Sequence, residues 1–541
     1  MGEGRDGMAL TMTSALDLLG RHHLLREVIQ GGDWSLDAPN QDGEPAEFKT
    51  LTYDTRQVEQ GSLLFCKGNF KPEYLDGCDQ AGMAAYVAET DLSERCQAPG
   101  IIVSDVRKAM SLLAAAHYGY PQDDLTLVGI TGTKGKTTTA YFLQSMLNQL
   151  SGGRAALLSS VDNCLDGQHY RESELTTPES LDLFRMMRQA VDAGMRYMVM
   201  EVSSQAYKVD RVYGLTFDLG AFLNVSPDHI SPIEHPTFED YLFCKRQLTY
   251  NSRKLVLGAD CAHADLIRQD AAAAGTPLTT FGMDRTEAGS RPRQDADFLV
   301  RLGERHEDGP ADSYLIGPAS GPMTAINPSM DGDFNALNAC AALAMVQALG
   351  LEPDQEALKA MEEVRIAGRM EHFASGNRVA YVDYAHNQAS VKALLDFVDE
   401  QFGNRNPSVT LVSGSAGDKA IDRRQGIVQA AQNRVDRLII TGDDEGTEGA
   451  DRICRQMLGY VTNPDLDVSI ILDRTQAITT AIQEGAGDGT GLQVILVIGK
   501  GEERWIKVGR QQVPYEGDDR IVARLLGTRS HDLGATGTPR G

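Results

Sequence analysis

No run of apolar residues in this 541-residue chain is long enough to cross a membrane. The N-terminus carries Glu3, Arg5 and Asp6 and lacks the apolar stretch of a secretion signal, so a cytoplasmic protein is expected. Positive charge is also short: 51 Lys and Arg stand against 76 Asp and Glu, a net charge of -25. Such a field repels phosphate backbones and anionic lipid, and neither nucleic acid nor a membrane is expected as a partner. An anionic small molecule is still admissible where a few basic residues converge, because short charge-assisted hydrogen bonds outweigh a screened distant field. The eight cysteines (Cys66, Cys78, Cys96, Cys164, Cys244, Cys261, Cys340 and Cys454) lack the two-residue spacing of zinc or redox motifs. They read as reduced, mostly buried thiols. There is no internal repeat.

Length predicts about three domains of roughly 100–200 residues each. Residues 1–124 hold short apolar runs, such as Gly61 to Gly68 and Ala84 to Ala88, separated by turn residues, which suggests a small mixed α/β domain. From Leu125 the pattern changes. The run LTLVGI reads as a buried strand, a glycine loop follows, and Thr138 to Leu150 has helical apolar spacing. Tyr197 to Val202, Phe217 to Asn224 and Lys254 to Leu257 read as further strands of one mostly parallel sheet, giving a central domain over 125–367. Beyond it, Val379 to Val382, Val409 to Val412, Arg437 to Thr441, Val468 to Leu472 and Val494 to Ile498 alternate with helical patterns. That alternation describes a doubly wound, Rossmann-like sheet over 368–527. The expected fold class is α/β in three domains, with a cleft between the last two. The first ten residues and the tail 528–541 are expected to be disordered.

Strand, glycine loop and helix in that order suit a phosphate-binding core, and the loop reads Gly132-Thr133-Lys134-Gly135-Lys136-Thr137-Thr138. It is short for its kind, because the position where the usual pattern has its first glycine is Ile130. Gly132 and Gly135 let the backbone close around a phosphate, Lys136 supplies charge to the outer phosphates, and Thr137 can offer its hydroxyl to magnesium. Glu201 and His229 each follow an apolar strand, which puts both at strand carboxyl ends, where an open α/β sheet places its ligands.

This short loop resembles the ATP loop of the Mur ligase superfamily, which includes peptidoglycan-building amino-acid ligases and folylpolyglutamate synthetases. The resemblance runs through Glu201-Val202-Ser203-Ser204-Gln205-Ala206, Asn224-Val225-Ser226-Pro227-Asp228-His229 and Glu239 to Lys245, and so covers most of the chain. It implies ATP and Mg2+ as cofactors. Gly132, Thr133, Lys134, Gly135, Lys136, Thr137 and Thr138 would hold phosphate, Thr137, Glu201, His229 and Lys245 the metal, and Lys136, Glu201, His229 and Lys245 would form the catalytic set. Lys245 matches a lysine that becomes carbamylated, which requires its site to disfavour an ammonium of ordinary pKa near 10.4. Gly332 to Asn338 resembles a segment whose asparagines, here Asn335 and Asn338, approach adenine; read as plain residues, Asp333 or Asn335 would cap a helix. Gly368-Arg369-Met370-Glu371 and Asp383-Tyr384-Ala385-His386 match motifs that close over ATP, adding Arg369, Asp383 and His386.

On the substrate side, Leu175-Thr176-Thr177-Pro178, Ser203 and Arg211 resemble the positions by which the third amino-acid ligase of the pathway holds a UDP-muramoyl dipeptide. Thr55 and Arg56, in Leu51 to Arg56, resemble the stretch that places the first domain on the uridine diphosphate; on its own the Asp54 and Arg56 pair reads as a surface ion pair. Lys419, Asp443, Asp444, Gly499 and Glu503 match amino-acid-binding positions. In relatives that add meso-diaminopimelate an arginine stands where this chain has Gly446. Acidic Asp444 and Glu445 favour an amine instead, which points to L-lysine and next to L-ornithine. Lys134, Gln205, Gln388 and Glu502 stand where relatives more often have Asn, His, Pro and His.

The implied reaction forms an acyl phosphate from ATP and the D-glutamyl carboxylate, which the incoming amine then attacks. The implied partners are small-molecule substrates, and a monomer is expected. The alternatives are the same ligation with meso-diaminopimelate, a folylpolyglutamate synthetase-like ligase, an ATP-driven mechanical or transport protein, and a nucleotide-binding regulator without catalysis.

Overall fold

The computed structural model describes residues 9–38, 47–231, 234–285, 293–303, 313–418, 421–485, 491–509 and 511–527. Three sheets organise them. The first has six strands in the order Asp33–Ser35, Leu25–Gln30, Gly100–Val103, Met83–Ala88, Ser62–Phe65 and Thr50–Thr52. The last four run parallel, and the first two attach antiparallel. The expected apolar runs at 61–68 and 84–88 are its inner strands. Of the N-terminal residues expected to be disordered, 1–8 lie outside the described residues, as does the tail 528–541. Leu10 departs from that expectation: it is buried, and its carbonyl accepts a hydrogen bond from the Phe48 N–H.

The central sheet has eleven strands, with Thr126–Thr131 near its middle, between Tyr197–Glu201 and Leu219–Phe222. Strands from Ala155–Leu158 to Phe298–Leu302 are parallel. Buried on both faces, the middle strands are nearly all apolar, which is why they are plain in the sequence. Antiparallel strands extend both edges, among them Tyr314–Pro318 and Thr324–Ile326. The third sheet runs Glu371–Ser375, Arg378–Asp383, Gln493–Ile498, Ser408–Ser413, Arg437–Thr441, Asp467–Ile471, parallel except at its first strand. Helices cover both of its faces, as a doubly wound sheet requires, and a hairpin of Trp505–Val508 and Gln511–Pro514 follows.

The way these sheets are joined matters for function. One apolar core is continuous from Leu63 and Val87 of the first sheet, through Leu113 and Phe184, to Met198 and Phe217 of the central one. The third sheet has its own cores, and Phe334 packs against one of them from the central unit. The first two units are thus welded by apolar burial, while the third rests on the second across a cleft. All eight cysteines are buried and unpaired.

Candidate active site

The glycine loop leaves the strand Thr126–Thr131 and enters the helix Lys136–Ser151, whose N-cap is Gly135 at φ +84°. A side chain there would meet both that left-handed backbone and Asn338 Oδ1, so only glycine fits. Asn224, at the end of the neighbouring strand, pins the loop. Its Oδ1 accepts from the N–H groups of Thr133 (3.1 Å) and Lys134 (2.9 Å), and its Nδ2 donates to the Lys134 carbonyl (3.0 Å). The Thr133 hydroxyl donates to Ser226 O at 3.1 Å and lies 3.0 Å from the Tyr241 hydroxyl.

Two amines converge on this loop. Lys136 Nζ donates to the Gly132 carbonyl at 3.1 Å and Lys245 Nζ donates to the same oxygen at 2.8 Å. Lys245 is only 2 % exposed. Burial, and then the charge of Lys136, push its pKa well below the ordinary lysine value, and burial depresses that of Lys136 as well. Glu201 is buried and accepts from the Ser160 N–H at 2.8 Å; the Ser160 hydroxyl lies 3.0 Å from that of Thr137. Hydroxyl, carboxylate and two amines thus gather at one end of the loop. His229 stands apart, stacked on the Tyr241 ring at 6.2 Å, with Nδ1 3.0 Å from Glu234 and a left-handed backbone at φ +57°. The oxygen donors Thr137 and Glu201 are hard ligands of the kind magnesium prefers.

On the side of the first unit, Thr177 donates to the Glu201 carbonyl (3.0 Å) and accepts from the Ser203 N–H (3.1 Å). Arg211 donates to the Thr177 carbonyl (3.1 Å) and to Glu179 (2.9 Å). Glu179 also receives Lys67 Nζ at 2.6 Å, and the Tyr53 hydroxyl donates to Asp182 at 2.5 Å. These contacts tie Tyr53 to the helix Ser180–Asp192 and link Lys67, through Glu179 and Arg211, to Thr177. Thr55 lies on a short 3-10 turn capped by Asp54, and the exposed Arg56 is bound to Asp54. The surface ion pair is present whichever role Arg56 takes.

Across the cleft, a cavity of about 370 Å³ is walled by Lys134, Asn224, Asn335 and Asn338 on one side and by Arg369, Asp383, Ser390 and Leu394 on the other. Phe281, Phe334 and Leu337 add apolar surface to the lining, beside the polar loop residues. Asn338 Nδ2 donates to Asn335 Oδ1 at 3.2 Å. The helix Asp333–Ala348 is capped by Gly332 with no side-chain hydrogen bond, so the capping role open to Asp333 or Asn335 is not what the structure shows. Tyr314 instead donates to Asp333 at 3.1 Å. Arg369 lies over the Tyr384 ring (4.7 Å), and the half-buried Asp383 carboxylate accepts from the N–H groups of Met370 and Ala385. His386 Nδ1 is 2.7 Å from the Tyr384 carbonyl and Nε2 is 3.3 Å from Lys134 Nζ. Burial, and then the nearby Lys134 and Arg423, hold its pKa well below the usual histidine value. The neutral ring therefore donates through Nδ1 and accepts from Lys134.

In the third unit Lys500 is buried among acids: Asp444 accepts from its Nζ at 2.9 Å, Glu503 forms an ion pair with it, and Asp443 is close. Asp444 also accepts from the Lys507 N–H of the hairpin (2.9 Å), and the Tyr384 hydroxyl donates to Glu503 (2.9 Å). Glu445 accepts from the Ala450 N–H at the start of a helix. Gly499 has φ +114°, and a Cβ there would come within 2.9 Å of Asp443 Oδ2. Gly446 has φ +55°, and a Cβ there would collide with Asp418 Oδ2. Lys419 lies outside the described residues.

Comparison with known proteins agrees with this geometry. The Mur ligase middle domain matches residues 130–346, and the Mur ligase, glutamate ligase domain matches 368–501. A UDP-N-acetylmuramyl-tripeptide synthetase of Bifidobacterium longum (strain NCC 2705) is 57% identical over 96% of this chain and 100% of its own length. The chain belongs to the Mur ligase family. It is an ATP-dependent ligase of the tripeptide-synthetase kind, and its place is in peptidoglycan synthesis. A UDP-N-acetylmuramoyl-L-alanyl-D-glutamate--L-lysine ligase of Enterococcus faecalis (strain ATCC 700802 / V583) is 39% identical over 97% of this chain and 100% of its own. The fold is shared with a solved UDP-N-acetylmuramoyl-L-alanyl-D-glutamate--2,6-diaminopimelate ligase, at TM-score 0.60 and 20% identity, covering 96% of this chain and 99% of that one.

Within this Mur ligase, motif reading passed over several residues that build the site. Ser160 bridges Thr137 and Glu201, Glu179 joins Lys67 to Arg211, and Arg423 reaches Asp228 from another unit. None sits in a run of unusual composition. Their partners are 23 to 195 residues away in the chain, a separation that only the fold closes.

Proposed function

We propose that this Mur ligase joins L-lysine, with L-ornithine as the second choice, to UDP-N-acetylmuramoyl-L-alanyl-D-glutamate at the expense of ATP. The observation that carries the choice of amino acid is the cluster around Lys500. Three carboxylates, Asp443, Asp444 and Glu503, surround one buried cation there, leaving an excess of negative charge suited to a diamino acid. The arginine that would grip a second carboxylate is disfavoured at Gly446 by the positive φ there and by the Asp418 carboxylate, which would have to shift. The name of the Enterococcus faecalis relative agrees with this choice.

The nucleotide lies in the cavity, its base toward Phe281, Phe334 and Leu337 and its phosphates on the loop 132–138. Lys136 neutralises the outer phosphates as the D-glutamyl carboxylate attacks the γ-phosphorus, and Arg369 faces the same charge from the other wall. Thr177, Ser203 and Arg211 orient the dipeptide, with Thr55 and Arg56 of the first unit toward the uridine diphosphate. Thr137, Glu201 and a carbamylated Lys245 would hold magnesium, joined by His229 once its ring turns from Glu234, and the ion when bound supplies charge stabilisation on the phosphates. The Asp443 to Glu503 wall places the incoming amine, and the closed cleft keeps water from the acyl phosphate. In this reading the units divide near residues 124 and 367, and the enzyme works as a cytoplasmic monomer.

The test is phosphate release from ATP by the purified protein with magnesium and UDP-N-acetylmuramoyl-L-alanyl-D-glutamate, supplying lysine, ornithine, meso-diaminopimelate or no amino acid. Release that depends on lysine or ornithine is expected. Release dependent on meso-diaminopimelate would overturn the choice of amino acid and leave the ligase standing.

A further inference from the structure

The cavity that suits a nucleotide is walled by two units, so any movement of the third changes how fully a nucleotide there is enclosed. The apolar cores show which unit can move: the first and second share one, whereas the third has its own. Besides the apolar contact of Phe334, a polar contact fastens the third unit when it returns. Asp228, in the loop that ends with His229, is 2% exposed. Its Oδ1 accepts from Arg423 Nε (2.9 Å) and Nη2 (2.7 Å), and its Oδ2 accepts from Asn387 Nδ2 (2.9 Å). Both donors belong to the third unit. The neighbouring Arg424 turns the other way, to Glu448, Gln456 and the Ala416 carbonyl within its own unit. Of this arginine pair, Arg423 is the one that crosses the cleft.

The receiving carboxylate is tied to the catalytic side. Its Oδ1 also accepts the His229 N–H (3.0 Å), where the backbone holds a left-handed conformation uncommon for a residue other than glycine. Its Oδ2 lies 4.0 Å from Lys134 Nζ and 3.7 Å from His386 Nε2. Lys134 is itself in the phosphate loop, held through its backbone by Asn224.

We propose that Arg423 is a positioning residue that latches the third unit onto the loops carrying Lys134 and His229, through Asp228, so that closing the cleft and setting those loops are one event. In the open enzyme Asp228 and Arg423 are each hydrated. In the closed one each loses water, and the pairing of both guanidinium nitrogens with one carboxylate offsets that loss. Without the guanidinium, closure would bury a carboxylate short of its strongest donor, and the open form gains. Arg423 does not touch the reacting atoms in this account. It concerns the ATP cleft and is independent of which amino acid is joined.

Small-angle scattering tests it without any amino acid. With a non-hydrolysable ATP analogue and magnesium, the wild-type protein is expected to compact, while Arg423→Gln keeps the dimensions of the ligand-free protein. Arg423→Lys, which retains the charge but not the two-donor geometry, recovers part of the compaction and guards against a mere folding defect. In phosphate-release assays Arg423→Gln and Asp228→Asn each lose about 100-fold in kcat/KM, the scale of a broken buried pair. The double variant loses no more than the worse single one, because each residue acts through the other. Wild-type compaction by Arg423→Gln, or losses that multiply in the double variant, would overturn the latch.

Discussion

Asn224 offers the sharpest test of how the short phosphate loop is held. Its carboxamide makes three hydrogen bonds to the backbone of Thr133 and Lys134, at 2.9 to 3.1 Å. Each such bond has a net worth of about 0.5–1.5 kcal/mol, so Asn224→Ala removes roughly 2–4 kcal/mol of support for the loop conformation. If about 2 kcal/mol of that is felt where the phosphates bind, kcat/KM for ATP falls by about 30-fold. Asn224→Asp separates geometry from charge. It keeps the two acceptor contacts, turns the third into a repulsion against the Lys134 carbonyl, and adds a negative charge beside the phosphates, so it should be worse than alanine. The assay is steady-state phosphate release over a range of ATP, with circular dichroism to check the fold. Should Asn224→Ala retain the wild-type kcat/KM for ATP, the loop would be set by its own sequence and the reasoning would fail.

Three further outcomes are expected. Lys245→Ala abolishes phosphate release, and short carboxylic acids partly restore it; mass spectrometry of the native protein in bicarbonate shows one added CO2 on the peptide containing Lys245, as its buried, depressed amine allows. Burial pushes the Lys134 pKa down to about 7, which means the folded state disfavours its proton. The cost is full below pH 7 and is relieved as pH rises toward the ordinary 10.5, so the excess stability of Lys134→Met over wild type should shrink across that window in thermal melts. Gly446→Arg is expected to lower stability by about 1 kcal/mol or more, because of its positive φ, and to give no turnover with meso-diaminopimelate while Asp418 stays in place. Turnover gained by that single change would show that the pocket around Asp418 yields more easily than its packing indicates.

What could be read from the sequence was local. The strand Thr126–Thr131 is apolar because both faces are covered, and the loop after it can be recognised because only glycine fits where Asn338 crowds Gly135. The edge strands were not anticipated, for a related reason. Thr324–Ile326 is mostly exposed and Tyr170–Glu172, at the other edge, is exposed throughout, so neither shows a clean apolar run. Asp333 misled as a cap candidate because its real partner, Tyr314, lies on another element.

Asp444 shows where reading one residue at a time runs out. By its sequence neighbourhood it is an acid that would meet the amine of a substrate. In the fold its carboxylate is already occupied by Lys500 and by the Lys507 N–H. The negative charge left for a ligand therefore belongs to the group formed by Asp443, Asp444 and Glu503 around one lysine, and not to Asp444 by itself. It follows that Asp444→Asn alone should change the choice of amino acid little, since it removes a charge that Lys500 already balances. Lys500→Met should do more harm, because it leaves three carboxylates facing one another beside the hairpin. Measured side by side with lysine and ornithine, a larger loss in Asp444→Asn than in Lys500→Met would mean that the single acid, and not the cluster, selects the substrate.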